Sequence, residues 1–463
     1  MNILEAMEDP ALFGGQFTDD SWNRWKALLG GFYGLPLDEQ AADTFYELTH
    51  REPLQEAADA LWLVIGRRGG KSNIAALLAV YEAVFNDHRA SLAPGEVATV
   101  MVIAADRKQA RSVMRYIRGL LVDNPMLAQL VVKDGPESIE LANRCVIEIM
   151  TASHRGTRGY TAGCVICDEI SFWYSDGANP DTEILNAIRP SLATLGGKLI
   201  ALSSPYARRG VLWQNYRRHF GQNSPGVLVA QAPTLTMNPT LPPHIVTDAL
   251  AEDPAAAGAE YLAQFRTDVE GYCTVEVVEA CTRPGPLEVP PASSVDYVAF
   301  VDPSGGVADA MTLAIGHREK DNVIIDCTQA VRPPFSPEAV VSQFAELLKA
   351  YRVSRVTGDA YGGEWPREQF RKVGIEYDKS PRNRSELYRD LLPLLNSERV
   401  ELPPLARLSN ELVSLERRTS RGGRDSIDHP PGGHDDTANA VAGCACMAIV
   451  TGPQLPKVKF IMY

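Results

Sequence analysis

The chain has 463 residues, 45% of them apolar and 22% charged, enough for about two to four domains with real cores. Its net charge of −13 excludes a uniformly basic protein that coats nucleic acid, but not a local basic channel or an acidic metal site. No stretch is long and apolar enough to cross a bilayer, so no membrane partner is expected.

The N-terminus, MNILEAMEDP, lacks a signal-peptide pattern, and the eight cysteines fit no disulfide framework, so a reducing, cytoplasmic setting is expected. Cys164 and Cys167 resemble half of a zinc site. They lie in an apolar strand whose odd spacing points them to opposite faces, so buried free thiols are the better reading.

Residues 1–59 carry Trp22, Trp25, Phe32, Tyr33 and Phe45 among polar residues, which predicts one or two amphipathic helices. Arg51 and Gln55 are weak candidates for nucleotide contacts. The apolar run Leu61–Ile65 then reads as a buried strand. It breaks into Gly66-Arg67-Arg68-Gly69-Gly70-Lys71-Ser72, and a helix with apolar spacing runs from Ile74 to Phe85. Strand, glycine turn, Lys-Ser and helix make a phosphate loop. Backbone N–H groups and the helix N-terminus face an anion. Lys71 would reach the outer phosphates of ATP and Ser72 would hold Mg²⁺. The loop is a variant: the fuller pattern places a glycine where Ile65 stands.

Val97–Ala105 reads as a second buried strand and Asp106 opens a basic helix to about Val122. Ser138–Leu141 and Cys145–Met150 read as a hairpin. The loop Ser153–Gly159 offers Arg155 and Arg158 as candidate arginine fingers. It leads to the strand Gly163–Cys167, which ends in Asp168-Glu169. Asp168 suits the Mg²⁺ shell and Glu169 suits a base that orients or deprotonates the attacking water. Lys198–Ser204 is another buried strand, whose tip Ser203-Ser204-Pro205 could sense hydrolysis and pass it on.

Prolines punctuate residues 233–291, which read as a lid and linker. Beyond it, Tyr297–Asp302 is a strand ending in an acid, followed by Pro303-Ser304-Gly305-Gly306 and Asp309. Met311–Gly316 and Val323–Cys327 continue a meander, a helix spans about Pro337–Tyr351, and the strand Arg355–Asp359 ends in a second acid. His434-Asp435-Asp436 opens the helix Thr437–Val450. This is the element order of an RNase H-like sheet. Its strand tips would gather Asp302, Asp359 and Asp435 or Asp436 around two Mg²⁺ or Mn²⁺ ions about 4 Å apart. Asp436 is the favoured ligand of the last pair, and His434 is a ligand, an orienter or part of a cap. Asp326 also ends an apolar strand, without a glycine turn after it. The basic islands 379–389 and 417–424 suit either phosphate contact or solvated loops.

GRRGGKS at 66–72, CVICDE at 164–169, SSP at 203–205 and the acids Asp302, Asp359 and HDD at 434–436 together resemble the large terminase subunit of tailed bacteriophages. The likeness covers about residues 20–450, and the element Glu260–Phe265 also looks familial. It implies an α/β chain: an additional-strand, RecA-like P-loop NTPase domain followed by an RNase H-like nuclease domain. The expected division is 1–232, the lid and linker 233–291, 292–450, and a tail 451–463. Gly66, Arg67, Arg68, Gly69, Gly70, Lys71, Ser72 and Asp168 would then bind ATP and Mg²⁺. Glu169, Arg68, Arg155 and Arg158 would promote hydrolysis, and Ser203, Ser204 and Pro205 would couple it to movement. Asp302, Asp359, Asp435 and Asp436 would bind the nuclease metals. The implied partners are double-stranded DNA, a small terminase subunit, the portal protein of a procapsid and further copies in a ring, in the host bacterial cytoplasm. A P-loop helicase-nuclease or transposition-type ATPase, and an inactive prophage-derived binding protein, are the other classes the pattern admits.

Overall fold

The computed structural model describes residues 1–152, 159–173, 180–307, 309–359, 364–419, 425–430 and 433–451. They fall into two compact units, one ending at Thr267 and the other beginning at Asp268. The proline-rich stretch 233–291 is thus divided between them. Arg155 and Arg158 lie outside the described residues, as do the tail and part of the second basic island.

The first unit is built on strands β1 (Ala60–Ile65), β2 (Ala98–Ala104), β3 (Val131–Asp134), β4 (Ser138–Leu141), β5 (Cys145–Thr151), β6 (Thr161–Asp168), β7 (Lys198–Ser203) and β8 (Val227–Ala232). Their order is β3-β4-β5-β2-β6-β7-β1-β8. From β5 to β8 all neighbours are parallel, and β4 and β3 add an antiparallel edge. The central parallel strands β2, β6, β7 and β1 are almost wholly apolar and buried because helices cover both faces. On one face Leu61, Leu63, Ile65 and Cys164 pack with the helices Lys71–Phe85 and Arg107–Leu121. On the other, Trp62, Val64 and Cys167 pack with the helices Pro180–Ala193 and Gly210–His219. Cys164 and Cys167 therefore face opposite ways, and the described cysteines are all free.

One strand, β7, stands between the phosphate-loop strand β1 and the acid-tipped β6. That is the additional-strand P-loop topology. Four short helices precede β1 (Ile3–Glu8, Gly14–Phe17, Asn23–Phe32 and Glu39–Thr49), more than the sequence suggested. Trp25 is buried among them. Arg51 does not face the nucleotide loop: its guanidinium holds the Val227 and Ser224 carbonyls at 3.2 and 3.4 Å, bracing the start of β8.

The second unit contains β9 (Val269–Gly271), β10 (Tyr297–Asp302), β11 (Met311–Glu319), β12 (Asn322–Val331), β13 (Arg355–Gly358), β14 (Glu376–Lys379), β15 (Val400–Glu401), β16 (Glu416–Thr419) and β17 (Asp425–Asp428). The main sheet runs β14-β13-β10-β11-β12-β15, and β17-β16-β9 form a small second sheet. Strands β10, β11 and β12 are an antiparallel meander, and β13 and β14 join parallel to β10. This is the RNase H-like order. The meander strands run longer than their apolar cores, because their outer ends are half-exposed and polar.

The helix Asp436–Thr451 crosses this sheet with Gly443 against the ring of Phe300, so close that a Cβ there would overlap the ring. That contact lets the helix start beside the tip of β10.

Candidate functional sites

The first site gathers at the C-terminal ends of β1, β6 and β7. Gly70 caps the helix Lys71–Phe85 in a left-handed conformation, φ 93°, which a glycine adopts without strain. Arg68 takes φ 65° in the same loop. The loop is held from outside. Trp25 Nε1 donates to the Gly69 carbonyl at 3.0 Å, Thr234 Oγ1 to that of Arg67 at 2.7 Å, and Asn238 to that of Arg68 at 2.9 Å. Arg67 is bound to Glu260 through both its backbone N–H and its guanidinium, the latter at 2.7 Å. Trp25 is thus a loop brace, and Glu260 from the lid segment is part of the loop's support.

Lys71 is buried, and its ammonium donates to the Ile65 carbonyl at 3.0 Å and to Ser204 Oγ at 2.9 Å, with Glu169 Oε1 at 3.4 Å. Glu169 accepts from Ser203 Oγ at 2.9 Å and from the Ser204 backbone N–H at 3.1 Å. Its own backbone is left-handed, φ 49°, an uncommon conformation that these two bonds hold in place. One continuous network therefore joins the phosphate-loop lysine, the acid after β6 and the serine pair ending β7. Pro205 follows that pair directly.

Asp168 is buried beside this network, and its Oδ1 has no hydrogen-bond partner. Burial foremost, then the charge of Glu169, pushes its carboxyl up to about 7, against the pull of Lys71. A buried, unsatisfied carboxylate oxygen within the field of Lys71 fits a hard divalent cation, and Ser72 offers a hydroxyl from the first turn of the loop helix. Gly66, Arg67, Arg68, Gly69, Gly70, Lys71, Ser72, Asp168, Glu169, Ser203 and Ser204 all lie in this one region.

The second site lies at the tip of β10. The parallel register pairs Val301 with Gly358, so Asp302 and Asp359 follow as neighbours on adjacent strands. Burial raises the Asp302 carboxyl well above its ordinary value, and Asp436, Asp435 and Asp359 push it further. A hydrogen bond with Asn439 opposes them. The four acids named from the sequence thus share one electrostatic site.

The two aspartates at the helix start differ. Asp435 is 2% exposed, with Oδ1 on Arg384 at 2.9 Å and Oδ2 on the Tyr388 hydroxyl at 2.8 Å. Asp436 accepts from Arg407 at 2.9 Å and from the Ala310 N–H at 3.2 Å. Ligand atoms of Asp436, Asp309 and His434 lie within 4.8 Å of one another. That cluster of oxygen and imidazole donors beside Asp302 fits divalent cations.

The sequence reading named Asp309 after the turn that follows Asp302 without giving it a role, and missed Asn439, Arg407 and Tyr388. The Asn at the fourth helical position, facing the same way as Asp435 and Asp436, was the available signal. Arg384, in the first basic island, serves Asp435 and Asp428. Arg382 pairs with Asp390, Arg417 with Asp425 and Arg418 with Glu416. The described parts of both islands therefore spend much of their charge on acids of the same unit. Asp326 lies elsewhere, fully buried and paired with His317 at 2.6 Å.

No protein-family model and no curated protein sequence matches the chain. Solved structures do. The large terminase of bacteriophage HK97 shares 16% identity at a TM-score of 0.40, over 89% of this chain and 95% of that one. The large terminase ATPase domain of Thermus phage P74-26 shares 17% at a TM-score of 0.38, over 48% of this chain and 98% of that one. The large terminase nuclease of thermophilic phage G20c shares 19% at a TM-score of 0.32, over 37% of this chain and 96% of that one. These three solved structures are phage large terminases, one whole and two as separate ATPase and nuclease parts.

Proposed function

We propose that the chain is a DNA-packaging motor subunit that hydrolyses ATP to move double-stranded DNA into a procapsid and cuts concatemeric DNA at a second site. One observation carries this reading. A single chain holds two acid-tipped sheets, one with a lysine-bearing phosphate loop wired to its acids and one with a cluster of acids of the RNase H-like kind.

In the first unit, loop N–H groups and Lys71 bind the phosphates, and Glu169 positions and deprotonates the attacking water. Ser204 touches Lys71 and Ser203 touches Glu169, so a change at the outer phosphate alters both contacts at the end of β7 and moves the chain beyond Pro205. Mg²⁺ held by Ser72 and Asp168 would neutralise phosphate charge. In the second unit, Asp302, Asp359 and Asp436 would hold Mg²⁺ or Mn²⁺, which supply the positive charge that phosphodiester hydrolysis requires. Asp435 acts there through its bonds to Tyr388 and Arg384. The partners proposed with this role are a small terminase subunit, the portal protein and further copies in a ring, in the host cytoplasm. Among the described residues no helix is long and apolar enough to cross a membrane.

Paired variants test the division of labour. Lys71→Ala abolishes ATP turnover and leaves Mn²⁺-dependent nicking of plasmid DNA, while Asp302→Asn does the reverse. Loss of both activities in either folded variant refutes the two-site reading.

A further inference from the structure

The helix that presents Asp435 and Asp436 has an unusual start. The Asn439 N–H bonds to the Asp435 carbonyl, which makes Asp435 the cap residue. An aspartate there ordinarily accepts from the N–H groups two and three residues on. Asp435 does not, because Arg384 and Tyr388 take its two oxygens. Those N–H groups, of Thr437 and Ala438, instead donate to Glu411 Oε2, both at 2.8 Å. Glu411 stands on a separate helix, Ala406–Ser414, and is 6% exposed. Its Oε1 accepts from Arg407 Nε at 2.6 Å, and the same guanidinium reaches Asp436 Oδ2 at 2.9 Å.

We propose that Glu411 is a positioning residue of the nuclease: by capping the aspartate-bearing helix from outside, it leaves the Asp435 oxygens to Arg384 and Tyr388 and sets the place of Asp436 through Arg407. Two acids in a row at a helix start would compete for the capping role, and a carboxylate drawn onto the helix end is lost to a cation. A borrowed cap removes that competition. Burial raises the Glu411 carboxyl above its ordinary value, and Arg407 and the helix-end N–H groups work against that rise. The inference rests on the nuclease reading above.

The test uses the full chain and Mn²⁺ binding, followed by electron paramagnetic resonance, beside plasmid cleavage and ATP turnover. Glu411→Ala weakens Mn²⁺ binding about 10- to 100-fold, the range typical of lost support around metal ligands. Its cleavage recovers at high Mn²⁺, and ATP turnover is unchanged. Glu411→Gln keeps an oxygen for both N–H groups and stays closer to wild type than Glu411→Ala. If Glu411→Ala does not fold, Glu411→Asp, too short to reach the helix end, shows the same weakening. Wild-type Mn²⁺ affinity in folded Glu411→Ala or Glu411→Asp overturns the proposal, as does cleavage that excess Mn²⁺ fails to restore. Asp302→Asn is the control for the underlying reading. If it too binds Mn²⁺ as wild type does, the nuclease assignment fails, whatever Glu411 does.

Discussion

The two sites solve the same problem with opposite electrostatics. Each places acids at the C-terminal tips of parallel strands, where the twist of the sheet opens a crevice. At the tips of β6 and β7 the counter-charge is built in: the Lys71 ammonium lies 3.4 Å from Glu169 and is fixed by Ser204 and the Ile65 carbonyl. At the tips of β10 and β13 it is not. Arg384 and Arg407 pair with Asp435 and Asp436, whereas Asp302 bonds to the neutral Asn439 and feels Arg384 only through space, against three neighbouring carboxylates. The first site is a set of contacts that a nucleotide rearranges. The second is a set of repulsions that cations relieve.

The largest effect follows from breaking the built-in pair. Lys71→Met leaves Glu169 beside a buried apolar group, so the first unit loses about 3 kcal/mol. Differential scanning calorimetry reads this as a lower melting transition, with ATP turnover lost. An unchanged transition breaks the comparison, because Lys71 would then not serve as the counter-charge.

Ser204→Ala tests the same wiring more gently. It removes one hydrogen bond to a charged group, about 1.5 kcal/mol, or roughly tenfold in kcat/KM for ATP. Cleavage by the second unit stays at the wild-type rate.

The third prediction runs the other way. Asp302→Asn should stabilise the protein in chelator, since it deletes a charge that the fold resists. The sign follows from linkage. The folded carboxyl is raised well above the unfolded value near 4, so the folded state holds a proton that the unfolded state has shed. Stability therefore falls as pH rises from about 4 through the folded value, and the asparagine abolishes that loss. The gain, about 1 kcal/mol or more at pH 8, vanishes near pH 3. Asp168→Asn behaves alike with a smaller gain, because Lys71 partly offsets the charge and its window closes at about 7. Equal gains would erase the distinction between the sites.

Much of this was legible in the sequence because strand tips leave a local signature. An apolar run followed by a Gly-rich turn, by acids or, at β7, by Ser-Ser-Pro identified β1, β6, β7, β10 and β13, and the period of two in Cys164-Val165-Ile166-Cys167 placed the thiols on opposite faces. What stayed hidden depends on contacts far along the chain. Nothing local to Thr234 or Asn238 says that they hold the loop at Arg67 and Arg68. Glu411 reads as one more polar position of an amphipathic helix until the fold brings it to Thr437 and Ala438. Short edge strands such as β15 and β17 also escaped, since two to four residues carry too little periodicity.

The smallest effect concerns Arg67, a counter-charge of the first site that faces solvent. Arg67 and Glu260 meet at 2.7 Å, but the arginine side chain is 63% exposed, so water screens the pair. The backbone bond from the Arg67 N–H to the Glu260 carbonyl survives any change of side chain. Glu260→Gln should therefore shift stability by less than about 1 kcal/mol, and a double-mutant cycle with Arg67→Ala should return a coupling in the same small range. Thr234→Val makes the contrast: its hydroxyl is buried and donates to the Arg67 carbonyl, so its loss leaves an unmet acceptor and costs about 1 kcal/mol or more. If the order were reversed, with Glu260→Gln the costlier change, the phosphate loop would be held by surface charge and not by its buried braces. The built-in electrostatics of the first site would then extend to its rim.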